Sequence, residues 1–229
     1  MLIIRKPCGS FAFISIVFCQ LFLLVSPVLA SDEARLLAQQ VYDRPAGKDA
    51  SSQVVMTIKV KKKQERVRHL AIYRIDLGGG ERWNLMRFSL PTDVKDTGLL
   101  TLDHPGDDSD QWIYLPALDR VRLISSKRKG GRFVGSDFTY EDLRDREPDM
   151  DRHQLDGTEK VGGLECIRLV SIPVDPDNSI YSKRISCIHD QTLTPLKVDL
   201  YKKGSKKPIK RMMARKLKKI QGYWTVLES

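Results

Sequence analysis

From Ser51 onward the chain alternates apolar and polar side chains with a period of two. No other feature limits its fold as strongly. Val54, Met56, Ile58 and Val60 alternate with Val55, Thr57, Lys59 and Lys61. Successive side chains on an extended strand point to opposite faces, so this run makes a strand with one apolar side. Lys62–Glu65 reads as a turn, Val67–Asp76 as the returning strand, Leu77-Gly78-Gly79-Gly80 as a second turn and Arg82–Leu90 as a third strand. Shorter strands are expected at Gly98–Leu102, Gln111–Leu115, Arg120–Ser125, Cys166–Ile172, Tyr181–Ile188, Leu196–Tyr201, Ile209–Ile220 and Tyr223–Leu227. Strands joined by short turns, without interspersed helices, build an antiparallel meander rather than a parallel sheet.

A sheet of about ten strands must curl or pair with something to hide its apolar face. Two helical segments are available to help. The first starts at Asp32 with Ser31 as its cap, carries the stripe Ala34, Leu37 and Val41, and ends near Tyr42 because Pro45 follows. The second spans Asp137–Asp145, capped by Ser136. The expected architecture is mainly β with α, over one domain at residues 31–229. It is a curved antiparallel sheet, or unclosed β-barrel, plugged by short helices and roomy enough for a hydrophobic ligand.

The first thirty residues carry an address. Arg5 and Lys6 precede an almost wholly apolar run from Phe11 to Val25, and Val28-Leu29-Ala30 offers small or short side chains for cleavage. That order reads as a secretory signal peptide, removed after residue 30. Three other readings are an uncleaved anchor, a lipoprotein signal with Cys19 as the lipidated residue, and a buried helix of the folded domain, which the N-terminal position argues against. The apolar core of about 15 residues falls short of the ~20 that span a bilayer, and bulky Phe18 precedes Cys19 where a small residue is needed. A secreted chain argues against ATP-driven chemistry, nucleotide cofactors and genome binding.

The formal net charge is +10, and Arg5 and Lys6 account for little of it. A basic surface suits anionic partners such as lipid headgroups, and it also serves plain solubility. The charge gathers at Lys59–Lys63, Lys127–Lys129, Lys202–Lys207 and Lys216–Lys219. Lysines at turns and sheet edges discourage aggregation, so these knots need not be a site. Of four cysteines, Cys8 and Cys19 lie in the leader. Cys166 and Cys187 remain on two strands either side of the turn signal Pro173–Asn178. In an oxidising compartment an even pair reads as one disulfide, with two reduced core thiols as the alternative.

Catalytic machinery is hard to find. His69, His104, His153 and His189 are scattered, and neither an HExxH nor a GxSxG motif occurs. The glycines at 78–80 precede a strand, not a helix, so they form no phosphate loop. The acidic stretch Asp103–Asp110 lacks the spacing of a calcium loop and contains a Pro-Gly turn. No catalytic residue, metal site or cofactor is assigned. The aromatics concentrate in the middle third instead. Trp83, Phe88, Trp112, Tyr114, Phe133, Phe138 and Tyr140, with Met56, Ile58, Ile72 and Met86, are the candidate lining of a hydrophobic cavity. Ordinary core packing is the competing reading of each. The basic knots lie apart from most of these aromatics, which argues against nucleic acid.

The segment Trp112-Ile113-Tyr114-Leu115-Pro116-Ala117-Leu118-Asp119-Arg120-Val121-Arg122, followed by Gly135-Ser136-Asp137-Phe138-Thr139-Tyr140-Glu141-Asp142-Leu143, resembles the LolA-like family of outer-membrane lipoprotein-sorting proteins. The subgroup it is most similar to is found beside exporters of the resistance-nodulation-division type. The resemblance covers roughly residues 32–227 and implies an unclosed barrel plugged by helices, with a cavity that carries acyl chains across the periplasm. Cys166 and Cys187 fall outside the shared motif. Relatives continue for another strand or two beyond Ser229, which leaves the barrel more open or the chain short.

The expected function is that of a monomeric periplasmic carrier or chaperone without enzymatic activity. It would bind lipid or lipoprotein acyl chains, with basic residues at the rim attracting anionic headgroups. Its expected partners are an inner-membrane exporter and an outer-membrane acceptor. The alternative is an interaction module that docks to such an exporter through its basic knots and carries nothing.

Overall fold

A computed structural model describes residues 27–229 of the chain, with side chains from Asp32 onward except that of Ser126. The leader assigned to residues 1–30 lies outside the described residues as far as Ser26. Helix α1 spans Pro27–Tyr42 and therefore runs through Ser31 instead of starting beside it. Proline suits the first helical turn, where its missing N–H costs nothing and its φ is already set. Ala34, Leu37 and Ala38 are buried on one face of α1, while Leu36 is exposed.

The strands form two antiparallel sheets and a hairpin. The first sheet is the meander β1 (Asp49–Ile58), β2 (Arg66–Gly78), β3 (Glu81–Leu90), β4 (Gly98–Asp103), β5 (Asp110–Leu115) and β6 (Arg120–Leu123), paired in that order. The second is the meander β7 (Asp151–Val161), β8 (Leu164–Pro173), β9 (Lys183–His189), β10 (Thr194–Tyr201) and β11 (Lys210–Met213). β12 (Lys216–Ile220) and β13 (Tyr223–Glu228) make the hairpin. No ladder joins the two sheets among the described residues, so the barrel stays unclosed.

Strand β7 was not expected from the sequence. Its run DRHQLDGTEKV is polar on both faces, so it lacks the apolar alternation that marks its neighbours. The clue was the turn after it. Gly162 and Gly163 both take positive φ, the backbone of a two-residue hairpin. The single strand expected at Ile209–Ile220 divides in two. Ala214 donates its N–H to the Leu196 carbonyl, and Arg215 donates to the Glu228 carbonyl, so the chain changes partner from β10 to β13 between them.

The inner face of the first sheet holds one core of Leu70, Phe88, Leu99, Ile113 and Phe133. The link between the sheets closes over it. Ile124, Val134, Phe138, Tyr140 and Leu143 of that link pack against this core. The helix expected at Asp137–Asp145 is a single 3-10 turn, Tyr140–Leu143, and its cap is Thr139 rather than Ser136. Asp142 accepts from both the backbone N–H and the hydroxyl of Thr139. Ser136 is buried and donates its hydroxyl to the Phe133 carbonyl, which fixes a corner instead.

A second core lies where α1 packs on the other sheet, through Ala34, Leu37, Ala38, Leu169 and Ile188. Each fully buried leucine-sized side chain contributes about 1.5–3 kcal/mol, enough to hold a short amphipathic helix that would not persist alone. A third cluster surrounds the disulfide between Cys166 and Cys187, whose Cα atoms are 5.3 Å apart. Cys187 pairs with Arg168 across the ladder, so Cys166 reaches it diagonally and not from directly opposite.

Candidate ligand cavity between the sheets

The strand period continues past the apolar core and turns polar. On β2, the face that carries Leu70 and Ile72 goes on to Arg74. On β3, the face that carries Phe88 and Met86 goes on to Asn84 and Arg82. On β9, Arg184, Ser186 and Ile188 share one face. These side chains meet in a cavity of about 510 Å³ between the sheets. Its size falls within the ~300–1,000 Å³ range of small-molecule sites.

The cavity has two chemically different walls. Ala38 and Val41 of α1, Leu169 of β8, Ile188 of β9 and Pro195 of β10 make the apolar one. The other carries six arginines, Arg44, Arg74, Arg82, Arg144, Arg146 and Arg184, against three acids, Asp145, Glu147 and Asp151. Further carboxylates stand behind this wall. Arg74 and Arg82 share Asp76, and Arg82 also reaches Asp145 at 3.3 Å. Arg144 meets Asp108 at 2.7 Å, and Arg146 binds Asp151 with both Nε and Nη2. Arg184 is held by Glu141 and lies 3.5 Å from Asp151. Arg44 has no ion pair among the described residues and donates only to the Leu193 carbonyl at 3.4 Å.

Burial sets the electrostatics. It lowers the pKa of Arg44, and the charges of Arg74 and Arg82 push it the same way against the pull of Asp145. Burial likewise lowers Arg184, opposed by Asp151 and aided by Arg146. Burial raises Tyr42 to about 12 despite the Arg82 guanidinium 4.2 Å above its ring. Behind the wall, burial pushes Asp103 up to about 6, although Ser109 donates to it. His153 also lines the cavity. One ring nitrogen bonds the Pro148 carbonyl at 2.8 Å and must donate, while the other lies 3.0 Å from the Ser171 hydroxyl.

A family model described as covering uncharacterized proteins matches residues 80–229. A domain from Vibrio parahaemolyticus, named for outer-membrane lipoprotein sorting, is 31% identical, covers 86% of this chain and 83% of its own, and superposes with a TM-score of 0.79. The chain belongs to the family of this outer-membrane lipoprotein-sorting domain. A DUF1329 family protein from Desulfovibrio piger is 29% identical over 86% of this chain and 83% of its own, with a TM-score of 0.80. A LolA superfamily protein from Nitrosomonas europaea shares the fold, with a TM-score of 0.61 at 14% identity over 85% and 81% of the two chains. No curated protein matches the chain significantly.

The stretch that carries the family resemblance, residues 135–143, acts here as a clasp. Phe138, Tyr140 and Leu143 face the core of the first sheet. Glu141 and Asp142 face the second. Glu141 accepts from Arg184, the Ser179 hydroxyl and the Ile180 N–H. Asp142 accepts from the Tyr181 hydroxyl and from Lys210. The two sheets, unjoined by any ladder among the described residues, are thus joined by side chains of one turn.

The expected lining residues fall into three groups, and none of them lines the large cavity. Ile72, Met86, Phe88, Phe133 and Tyr140 pack in the core of the first sheet. Met56, Ile58 and Phe138 border a groove of about 180 Å³ between β1 and β11, together with Met212. Trp83, Trp112 and Tyr114 lie on the opposite face, because β3 turns its even positions inward and β5 its odd ones. Trp83 is 42% exposed and donates its ring N–H to Glu81. The acidic stretch is also dispersed. Asp108 binds Lys129 and Arg144, and no cluster of metal-ligating side chains occurs among the described residues.

The arginines were missed by reading charge as surface. For Arg74, Arg82 and Arg184 the signal was present, since each shares a strand face with buried apolar residues. Arg44, Arg144 and Arg146 sit on loops, where no period reports direction.

Proposed function

We propose that this chain is a periplasmic carrier without enzymatic activity, which holds the acyl portion of a lipid or lipoprotein between its two sheets. The observation that carries the reading is the cavity of about 510 Å³, floored by α1 and the apolar face of β8 to β10, inside a barrel that no ladder closes. Burying a chain against that wall yields about 0.8 kcal/mol per methylene. The family's lipoprotein-sorting relative supports the same reading. A monomer would receive its cargo from an inner-membrane exporter, such as one of the resistance-nodulation-division type, and pass it to an outer-membrane acceptor. Native mass spectrometry of the protein purified from its own host, with a fluorescent fatty-acid uptake assay, tests this. Lipid adducts and uptake are expected; neither lipid nor uptake overturns it.

A second reading, a docking module without cargo, has one observation in its favour. The outward face of the first sheet exposes Tyr73, Ile75, Trp83, Leu85, Val121 and Leu123, an apolar patch of the kind that marks interaction surfaces. Loss of exporter function in a Leu85→Glu variant that still takes up fatty acid would favour it.

A further inference from the structure

We propose that the cavity also binds an anionic headgroup of phosphate type, held by Arg44, Arg144 and Arg184 from inside the barrel. The claim rests on the carrier reading for the ligand's tail but stands independently for its head.

Arg44, Arg144 and Arg184 line one cavity from three elements: the chain after α1, the link between the sheets, and β9. Each has a buried nitrogen with no hydrogen-bond partner among the described residues, Nε of Arg44, Nε of Arg144 and Nη1 of Arg184. Nη1 of Arg184 has the Asp151 carboxylate 3.5 Å away, whereas buried donors such as the Nε groups of Arg44 and Arg144 are nearly always satisfied, so these two mark a place where an acceptor belongs. The Arg144 side chain is only 1% exposed, and its remaining nitrogens already bind Asp108 and Asn178.

The charges point the same way. Arg74, Arg82, Arg144, Arg146 and Arg184 all have carboxylate partners, whereas Arg44 has none among the described residues. Its charge is half-buried beside Arg74 and Arg82, against the pull of Asp145. An anion in the cavity would relieve that penalty and gain charge-assisted bonds. A carboxylate offers only two oxygens, while a phosphate monoester offers three free ones to donors arriving from different directions. Guanidinium forks suit that geometry, and the apolar wall opposite them suits a tail.

Isothermal titration calorimetry on the protein as processed by its host, freed of bound lipid, tests the claim with three probes: dihexanoyl phosphatidic acid, dihexanoylglycerol and inorganic phosphate. Phosphatidic acid should bind at least about tenfold tighter than the neutral lipid, the worth of one charged hydrogen bond. Added salt should weaken only the phosphatidic acid. Arg44→Gln removes a single long hydrogen bond from the fold and should erase most of the preference, read as the ratio of the phosphatidic acid and dihexanoylglycerol affinities of the same variant. Equal binding of both lipids overturns the headgroup site and leaves the carrier standing. Binding of inorganic phosphate as tightly as phosphatidic acid, with no neutral lipid bound, supports the anion site and overturns the carrier. Silence with all three probes overturns both.

Discussion

Arg184 on β9 and Glu141 in the clasp form an ion pair across 43 residues of sequence, and this pair ties the second sheet to the plug of the first. The Glu141 carboxylate is 2% exposed and also accepts from Ser179 and Ile180. Removing one partner of such a buried pair costs about 3–5 kcal/mol, and here it also takes the acceptor from Ser179 and Ile180, although Asp151 stays 3.5 Å from Arg184. Glu141→Ala should therefore lower the urea midpoint by that equivalent. A loss below about 1 kcal/mol, the worth of a surface pair, would mean that the sheets are held together elsewhere.

Asp103 gives stability an unusual pH slope. Burial raises it from 3.8 to about 6, so the folded state keeps a proton that the unfolded chain has released. Stability from this group is greatest below about pH 4 and declines as the pH rises through 6, by on the order of 3 kcal/mol in all. Carboxylates held down by partners, such as Asp108 and Glu159, slope the other way, so the comparison must be with a variant. The melting temperature of Asp103→Asn minus that of the wild type should rise between pH 4 and 7. Parallel profiles would refute the assignment.

Phe133 is 1% exposed, with its ring 5.5 Å from Phe88 and edge-on to Tyr140 at 6.1 Å. Phe133→Ala should cost about 3–5 kcal/mol, because a packed core collapses only partly around the void. The variant's melting curve checks this. Its preference for phosphatidic acid should persist, since Phe133 does not line the arginine cavity.

Cys166 and Cys187 close a loop of 21 residues. Replacing both by serine should lower stability by about 3 kcal/mol through the freedom returned to the unfolded chain. Urea unfolding of the double variant measures it, and a change under 1 kcal/mol would assign the pair a different role. Dithiothreitol should shift the wild type toward the variant.

Trp83→Ser and Trp112→Ser should leave fatty-acid uptake unchanged, because both rings sit on the outward face. Loss of uptake with the fold intact would contradict that placement.

Much of the fold was legible because one physical rule, the two-residue period, holds wherever one face of a strand is apolar. β1 to β5 follow it closely. The rule failed at β7, where Asp151 and His153 face a polar cavity and the apolar face is missing. It failed again at Ala214-Arg215, where the backbone exchanges one partner for another without changing composition. The site was less legible than the fold. The aromatic cluster gave residues that pack, while the residues around open space were arginines whose loops and partners no local pattern reveals.

The sequence alone determined most of the antiparallel strands and the amphipathic α1, because each depends on spacing along the chain, and it left Cys166 and Cys187 between a disulfide and two reduced thiols. Only the tertiary structure decided which face of each strand is inside, that Phe133 fills the apolar interior, and that six arginines border what remains open. Those outcomes depend on how Glu141 and Asp142 draw the two sheets together, and side chains 40 or so residues apart leave no periodic trace of their meeting.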